Sequence, residues 1–237
     1  MKIACWSGPR NISTAMMRSW SSRKDAFVTD EPLYAYYLKN SSIEHPLKNE
    51  IIRKYSTDFN KITKYLTSDN PKSKEVWYQK HMAHHILDLT KLDFILSFKN
   101  TFLIRHPGLV INSFTKKNIL SGSIQLGYKQ QKTIIDYLIK NNKEFVVIDT
   151  SIFLKNPEKI LRIWCKKINL NFDDRMLNWK KGIYKTDGIW ASHWYNSVVN
   201  SNSFFMDVNN NFKVKKQYES IYDECFECYE EILKYKI

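Results

Sequence analysis

The stretch from Met1 to Trp20 constrains the fold of this 237-residue chain more tightly than any other. Lys2-Ile3-Ala4-Cys5-Trp6 is a short apolar run, Ser7-Gly8-Pro9-Arg10-Asn11-Ile12-Ser13-Thr14 turns the chain, and Ala15-Met16-Met17-Arg18-Ser19-Trp20 continues in a helical pattern. A strand, a tight turn and a helix start in that order leave the first helical N–H groups without backbone partners. Asn11, Ser13 and Thr14 supply amide or hydroxyl groups at that point. Free N–H groups and the helix dipole favour a phosphate or sulfate there, and Arg10 adds a fixed charge with a planar hydrogen-bonding fork. An ordinary strand-to-helix turn with a serviceable cap uses the same residue types, so the loop alone leaves both readings open. The G-x-x-x-x-G-K-[ST] spacing of a triphosphate loop is absent, since the turn has one glycine, no lysine and a central arginine. That suits a smaller, metal-free anionic group rather than a triphosphate with magnesium.

Further strands are expected at Ala26–Asp30, Glu75–Lys80, Thr101–Arg105 and Phe145–Asp149, the last two continuous and apolar as buried parallel strands are. Mixed helical spacing marks Tyr36 to Asn70. Helices are expected over Ile86–Ser97, Leu109–Leu120, Gln125–Asn142 and Lys216–Ile237, and after the cap Asn156-Pro157, with Ile160, Leu161, Trp164 and Ile168 as its apolar stripe. The length suits one domain over residues 1–237, with a core large enough to fold without disulfides or metals. Few cysteines, mostly on apolar patterns, point to a reducing, cytoplasmic setting. No run of about 18 apolar residues spans a membrane, and the N-terminal apolar stretch is too short for a signal sequence. A net charge of +13 invites nucleic acid as a partner, but the lysines are scattered among Asn and Ile rather than gathered into a basic arm. Solvated lysine faces are the simpler account, and they would help gather an anionic cosubstrate.

Glu31 precedes a proline, which biases it to an extended backbone at a strand's C-terminal end, where parallel sheets bind ligands. It also suits a helix start, favoured by the dipole. His81, His84 and His85 form the densest histidine cluster; metal ligation, a structural cluster and catalysis compete there, and no cysteine or carboxylate set completes a tetrahedral zinc site. Arg105 closes a strand, and Ser113, eight residues later, lies two turns into the next helix, near enough to share one phosphate. Trp179 to Tyr195 is aromatic, basic and glycine-punctuated, which suits either a loop over a nucleotide, with Lys181 on a phosphate, or simple packing. Cys225-x-x-Cys228 falls inside a helical pattern and reads as packing rather than redox chemistry. The Asn209-Asn210-Asn211 loop is the best place for disorder.

Pro9-Arg10-Asn11-Ile12-Ser13-Thr14 resembles the 5′-phosphosulfate loop of sulfotransferases, usually Pro-Lys-Ser-Gly-Thr-Thr, with Arg10 standing where their lysine stands. Phe102-Leu103-Ile104-Arg105-His106-Pro107-Gly108 with Ser113 resembles their 3′-phosphate motif, and Glu31-Pro32-Leu33-Tyr34 resembles the Glu-Pro step of the carbohydrate enzymes. Lys80-His81 is similar to the Lys-Thr-His strand end of the cytosolic ones, without the threonine. The resemblance covers most of the chain. It implies an α/β fold of P-loop type, a three-layer sandwich with a central parallel sheet of about five strands. It also implies 3′-phosphoadenosine 5′-phosphosulfate as donor, no required metal, a small-molecule or carbohydrate acceptor, and Glu31 or His81 as base. Arg10, Asn11, Ser13, Thr14, Arg105, Ser113 and Lys181 would hold the donor. Two other classes stay open beside it: a nucleotide or small-molecule kinase on the same architecture, and a non-catalytic module binding adenosine bisphosphate.

Overall fold

A computed structural model describes residues 1–205 and 211–237. Its strands are β1 (Lys2–Ser7), β2 (Ala26–Asp30), β3 (Val76–Met82), β4 (Lys99–Ile104) and β5 (Phe145–Asp149). All pair in parallel, in the order β2-β3-β1-β4-β5. The helices are α1 (Ser13–Ser21), α2 (Tyr34–Lys39), α3 (Lys48–Lys54), α4 (Phe59–Thr67), α5 (Pro107–Phe114), α6 (Tyr128–Lys140), α7 (Thr150–Phe153), α8 (Pro157–Lys167), α9 (Ala191–Trp194), α10 (Asn196–Val199) and α11 (Glu219–Leu233).

Period-two alternation sorts the strand side chains into two layers of core. Ile3, Cys5 and Tyr78 pack with Met16, Met17 and Trp20 of α1 and Leu161 and Trp164 of α8. Ala4, Trp6, Trp77 and Phe102 face the opposite way, onto Ile134 and Leu138 of α6 and Cys225 and Ile232 of α11. With both faces covered, the strands read as unbroken apolar runs, and β3 is buried at every position. The chain leaves β1 toward β2 on one side and later crosses to β4 on the other. The C-terminal ends of β1, β3 and β4 therefore surround a topological switch point, where open α/β sheets leave a crevice.

Several expected boundaries move, for local reasons. Ile86–Ser97 is not one helix: two 3₁₀ turns, Ala83–His85 and Asp93–Ser97, flank a bend. In that bend the Asp88 carboxylate accepts from the Thr90 N–H and hydroxyl, offering the backbone an alternative to the helical ladder. α5 stops at Phe114, where the Thr115 hydroxyl donates to Ile111 O and the Asn118 amide to Phe114 O. Gly127, at φ 77°, divides the expected Gln125–Asn142 helix into a 3₁₀ turn and α6. β3 extends to Met82, past its expected end. The Asn209 and Asn210 part of the expected disordered loop lies outside the described residues. None of the described helices is long and apolar enough to cross a membrane.

Candidate functional site

The loop after β1 is held in an unusual backbone path. Arg10 (φ 60°) and Ile12 (φ 51°) are both left-handed, and a β-branched residue adopts that region only under constraint. Alternating left-handed residues of this kind form concave backbone nests that bind anions. Gly8 is required by close approach, since a Cβ there would lie 2.2 Å from Leu126 O. Ile12 occupies the N-cap of α1 and offers no side-chain cap. The expected capping amide is used elsewhere: buried Asn11 donates to Leu103 O at 2.6 Å and accepts from the Thr150 hydroxyl at 3.0 Å. Asn11 thus ties the loop to β4 and α7. Asn11→Ala strands both partners and is expected to lower stability by about 1–3 kcal/mol, read as a lower urea midpoint at unchanged slope.

A cavity of about 310 Å³ opens at this edge of the sheet, and Arg10, Asn11, Ser13, Thr14, Arg105 and Ser113 all line it. Arg10 Nε donates to Ser113 Oγ at 2.9 Å, and an Arg105 guanidinium N–H donates to Arg10 O at 3.3 Å. The tip of β4 is itself fixed by the Tyr128 hydroxyl on Arg105 O at 2.6 Å. Partial burial, then repulsion from Arg105, lowers the Arg10 pKa. Two guanidiniums crowded together without a carboxylate among their described contacts create a strong attraction for an anion. Arg105 and Ser113 also border a second cavity of about 570 Å³, beside Lys116 and Lys215.

Across the first cavity lies a buried polar cluster at the ends of β2 and β3. Lys80 Nζ donates to Asp30 Oδ1 at 3.0 Å, Glu31 Oε1 at 2.6 Å and the Tyr195 hydroxyl at 2.5 Å. Tyr195 in turn donates to both Asp30 oxygens, at 2.7 and 2.8 Å, and the Gly188 N–H reaches Asp30 Oδ2 at 3.0 Å. Two carboxylates share one lysine, so the cluster carries a formal negative excess. Glu31 is not in the extended backbone expected before Pro32: it sits left-handed at φ 41°, held by its N–H donating to Lys80 O and its carbonyl accepting from the Tyr34 N–H, both at 3.0 Å, and its carboxylate lines the cavity wall. Burial raises its pKa and Asp30 adds to the rise, while Lys80 offsets part of it. Burial opposes the Lys80 charge, yet Asp30 and Glu31 outweigh it and raise the lysine pKa.

His81 is not at this wall. Because β3 continues to Met82, alternation turns Lys80 toward Asp30 and His81 to the other face, stacked on Trp6 with centroids 4.4 Å apart. Burial lowers its pKa to about 3. The histidines that do line the cavity are His45, His84 and His85, with His193 at its edge, and His85 Nε2 stands 4.0 Å from Glu31 Oε2. Lys181 is exposed and is not among the cavity-lining residues. Its neighbour Gly182 donates to Val199 O and accepts from Arg18, which holds this segment over α1. The buried Arg18–Asp187 ion pair at 2.5 Å fixes the same segment. Among the described residues, no group of three or more His, Cys, Asp or Glu could hold a metal ion.

No local pattern in the sequence joins Asp30, Lys80 and Tyr195 into a unit. The one sign in the sequence was a lysine inside the β-prone run Val76 to Lys80, and the structure buries that strand at every position. Tyr195 stands 165 residues from Asp30, with no motif joining them.

A family model for the sulfotransferase domain matches residues 1–217. Branched-chain-amino-acid aminotransferase-like proteins 1 and 2 of Arabidopsis thaliana are 34% and 32% identical over 202 residues, 85% of this chain and 36% of each relative. The chain spans about a third of the length of these curated relatives, so the activity in their names refers to far longer proteins. Among solved structures, the sulfotransferase domain from the curacin biosynthetic pathway superposes with a TM-score of 0.58 at 16% identity, covering 99% of this chain and 98% of that one. A sulfotransferase from Alicyclobacillus acidocaldarius does so at 0.57 and 8% identity, covering 99% and 96%. At such identities the likeness is one of fold.

Proposed function

The chain belongs to the sulfotransferase domain family, and from that premise we propose that it transfers a sulfuryl group from 3′-phosphoadenosine 5′-phosphosulfate to a hydroxyl or amine of a small-molecule or carbohydrate acceptor. Residues 1–237 would act as one domain. One observation carries this reading: Arg10, Arg105 and Ser113 converge on one cavity, opposite a carboxylate with a raised pKa. The residues present fit the donor, since two guanidiniums and the Ser13, Thr14 and Ser113 hydroxyls offer donors to an anionic nucleotide without a neutralising carboxylate.

On this reading Arg105 and Ser113 hold the 3′-phosphate, and Arg10, the start of α1, Ser13 and Thr14 hold the 5′-phosphosulfate. Glu31 takes the proton as the acceptor oxygen or nitrogen attacks sulfur in line. The bond from sulfur to the bridging oxygen breaks, and its electron pair leaves on the 5′-phosphate, where Arg10 and the helix N-terminus stabilise the charge. Nucleotide binding replaces the Arg10–Ser113 hydrogen bond with bonds to the ligand.

The test is transfer of labelled sulfur from the donor to a panel of hydroxyl and amine acceptors in the presence of a metal chelator. Labelled product is the expected result. No product from this donor, with labelled phosphate moved from ATP when magnesium is added, would favour the kinase reading instead.

A further inference from the structure

We propose that the half of the cavity beside β2 and β3 is an acceptor subsite for an uncharged hydroxyl compound with a flat ring, and that it turns away acceptors bearing a carboxylate. This rests on the sulfuryl-transfer reading of the same cavity and names the chemistry of its second substrate.

The wall is built of rings. His85 stacks on Tyr34 with centroids 4.9 Å apart at 3°, and on Tyr37 at 4.7 Å and 25°. His84 meets Tyr37 edge-on at 5.3 Å, while Trp194, from α9, meets His45 edge-on at 5.6 Å. Such surfaces bind flat apolar faces through area and quadrupole contacts. Burial disfavours the charged form of these three imidazoles: it lowers the His84 pKa to about 3, takes His85 well below its ordinary value, and lowers His45 as well.

Charge selection follows from how Lys80 is spent. All three of its protons are engaged, by Asp30, Glu31 and Tyr195. Among the described residues of this wall it is the only Lys or Arg lining the cavity, the others being Arg10, Arg105 and Lys117 on the β1 and β4 side. An incoming carboxylate would meet a local negative excess and no free ammonium or guanidinium. A hydroxyl fits better, because the buried Nδ1 atoms of His84 and His85 have no hydrogen-bond partner among the described residues, and both residues line the cavity.

Calorimetry on the full chain saturated with 3′,5′-adenosine bisphosphate, so that Arg10 and Arg105 are occupied, compares β-naphthol with β-naphthoate. β-Naphthol is expected to bind, with β-naphthoate roughly 30-fold weaker from like-charge repulsion in a partly desolvated site. In Glu31→Gln that preference is expected to narrow by about threefold or more. Equal affinities, no binding of β-naphthol, or a preference unchanged in Glu31→Gln would overturn the proposal. The saturation step reads the donor assignment separately: failure of the nucleotide to bind counts against the sulfuryl-transfer reading, while the Glu31→Gln comparison still judges the acceptor subsite.

Discussion

Replacing Arg10 with alanine is expected to lower kcat with the sulfuryl donor on the order of 100- to 1,000-fold, with little loss of folding stability. The side chain lies at the cavity mouth and, among the described residues, donates to Ser113 alone, so truncation removes little packing. Its proposed work is done in the transition state, where negative charge builds on the departing 5′-phosphate. A guanidinium already positioned there lowers the barrier without reorganising, which is why the loss falls on kcat more than on KM. Arg10→Lys keeps the charge and loses the planar fork, so an intermediate rate is expected. Steady-state kinetics on the two variants decide it, and unchanged turnover in Arg10→Ala would remove Arg10 from the chemistry.

Glu31→Gln is expected to lower kcat/KM by about 100- to 10,000-fold, the range of a lost general base. The amide is isosteric, retains an oxygen that accepts from Lys80, and leaves Asp30 as the lysine's ion-pair partner, so the fold is preserved. The pH dependence has a definite sign. Glu31 works ionised, and burial, with Asp30 adding to it and Lys80 opposing, raises its pKa above 4.5. Wild-type kcat/KM therefore rises with pH through that raised value and then levels, and the limb disappears in Glu31→Gln. Stability runs the other way. A carboxyl that holds its proton more tightly when folded favours the fold below its unfolded pKa, and that contribution is lost as pH rises through the folded one. A pH profile unchanged in Glu31→Gln would exclude Glu31 as the base.

That Arg10 and Glu31 stand at the cavity edge of the sheet was legible from the amino-acid sequence alone, and the contrast with His81 explains why. Arg10, Glu31 and Arg105 each follow a strand whose end is marked by Gly or Pro, so their register is set by the turn itself. β2 matched its expected bounds for the same reason, and β5 matched because Asp149 ends it by capping the turn that follows. His81 lies inside a strand with no such stop, and continuation to Met82 moved it to the opposite face. Within a strand successive side chains point to opposite faces, so His81 cannot share the wall that Lys80 lines. The helix expected over Ile86–Ser97 failed because a single local competitor, the Asp88 carboxylate on Thr90, outweighs weak helical spacing. Strand order was not legible at all: that β1 lies between β3 and β4 is a tertiary fact, and it brings Arg10 within reach of both Ser113 and Arg105. The Asp30–Lys80–Tyr195 cluster is of the same kind, assembled from three distant segments whose only local sign was a lysine in a buried run.

If the β1 and β4 tips grip the two charged ends of one nucleotide, the protein must tell a bisphosphate from a monophosphate. Calorimetric binding of 3′,5′-adenosine bisphosphate against adenosine 5′-monophosphate, in the wild type and in Arg105→Ala, reads this directly. The wild type is expected to prefer the bisphosphate by at least tenfold, about 1.4 kcal/mol, and Arg105→Ala to abolish the preference. Equal affinities in the wild type, or a preference that survives in Arg105→Ala, would contradict the two-ended grip.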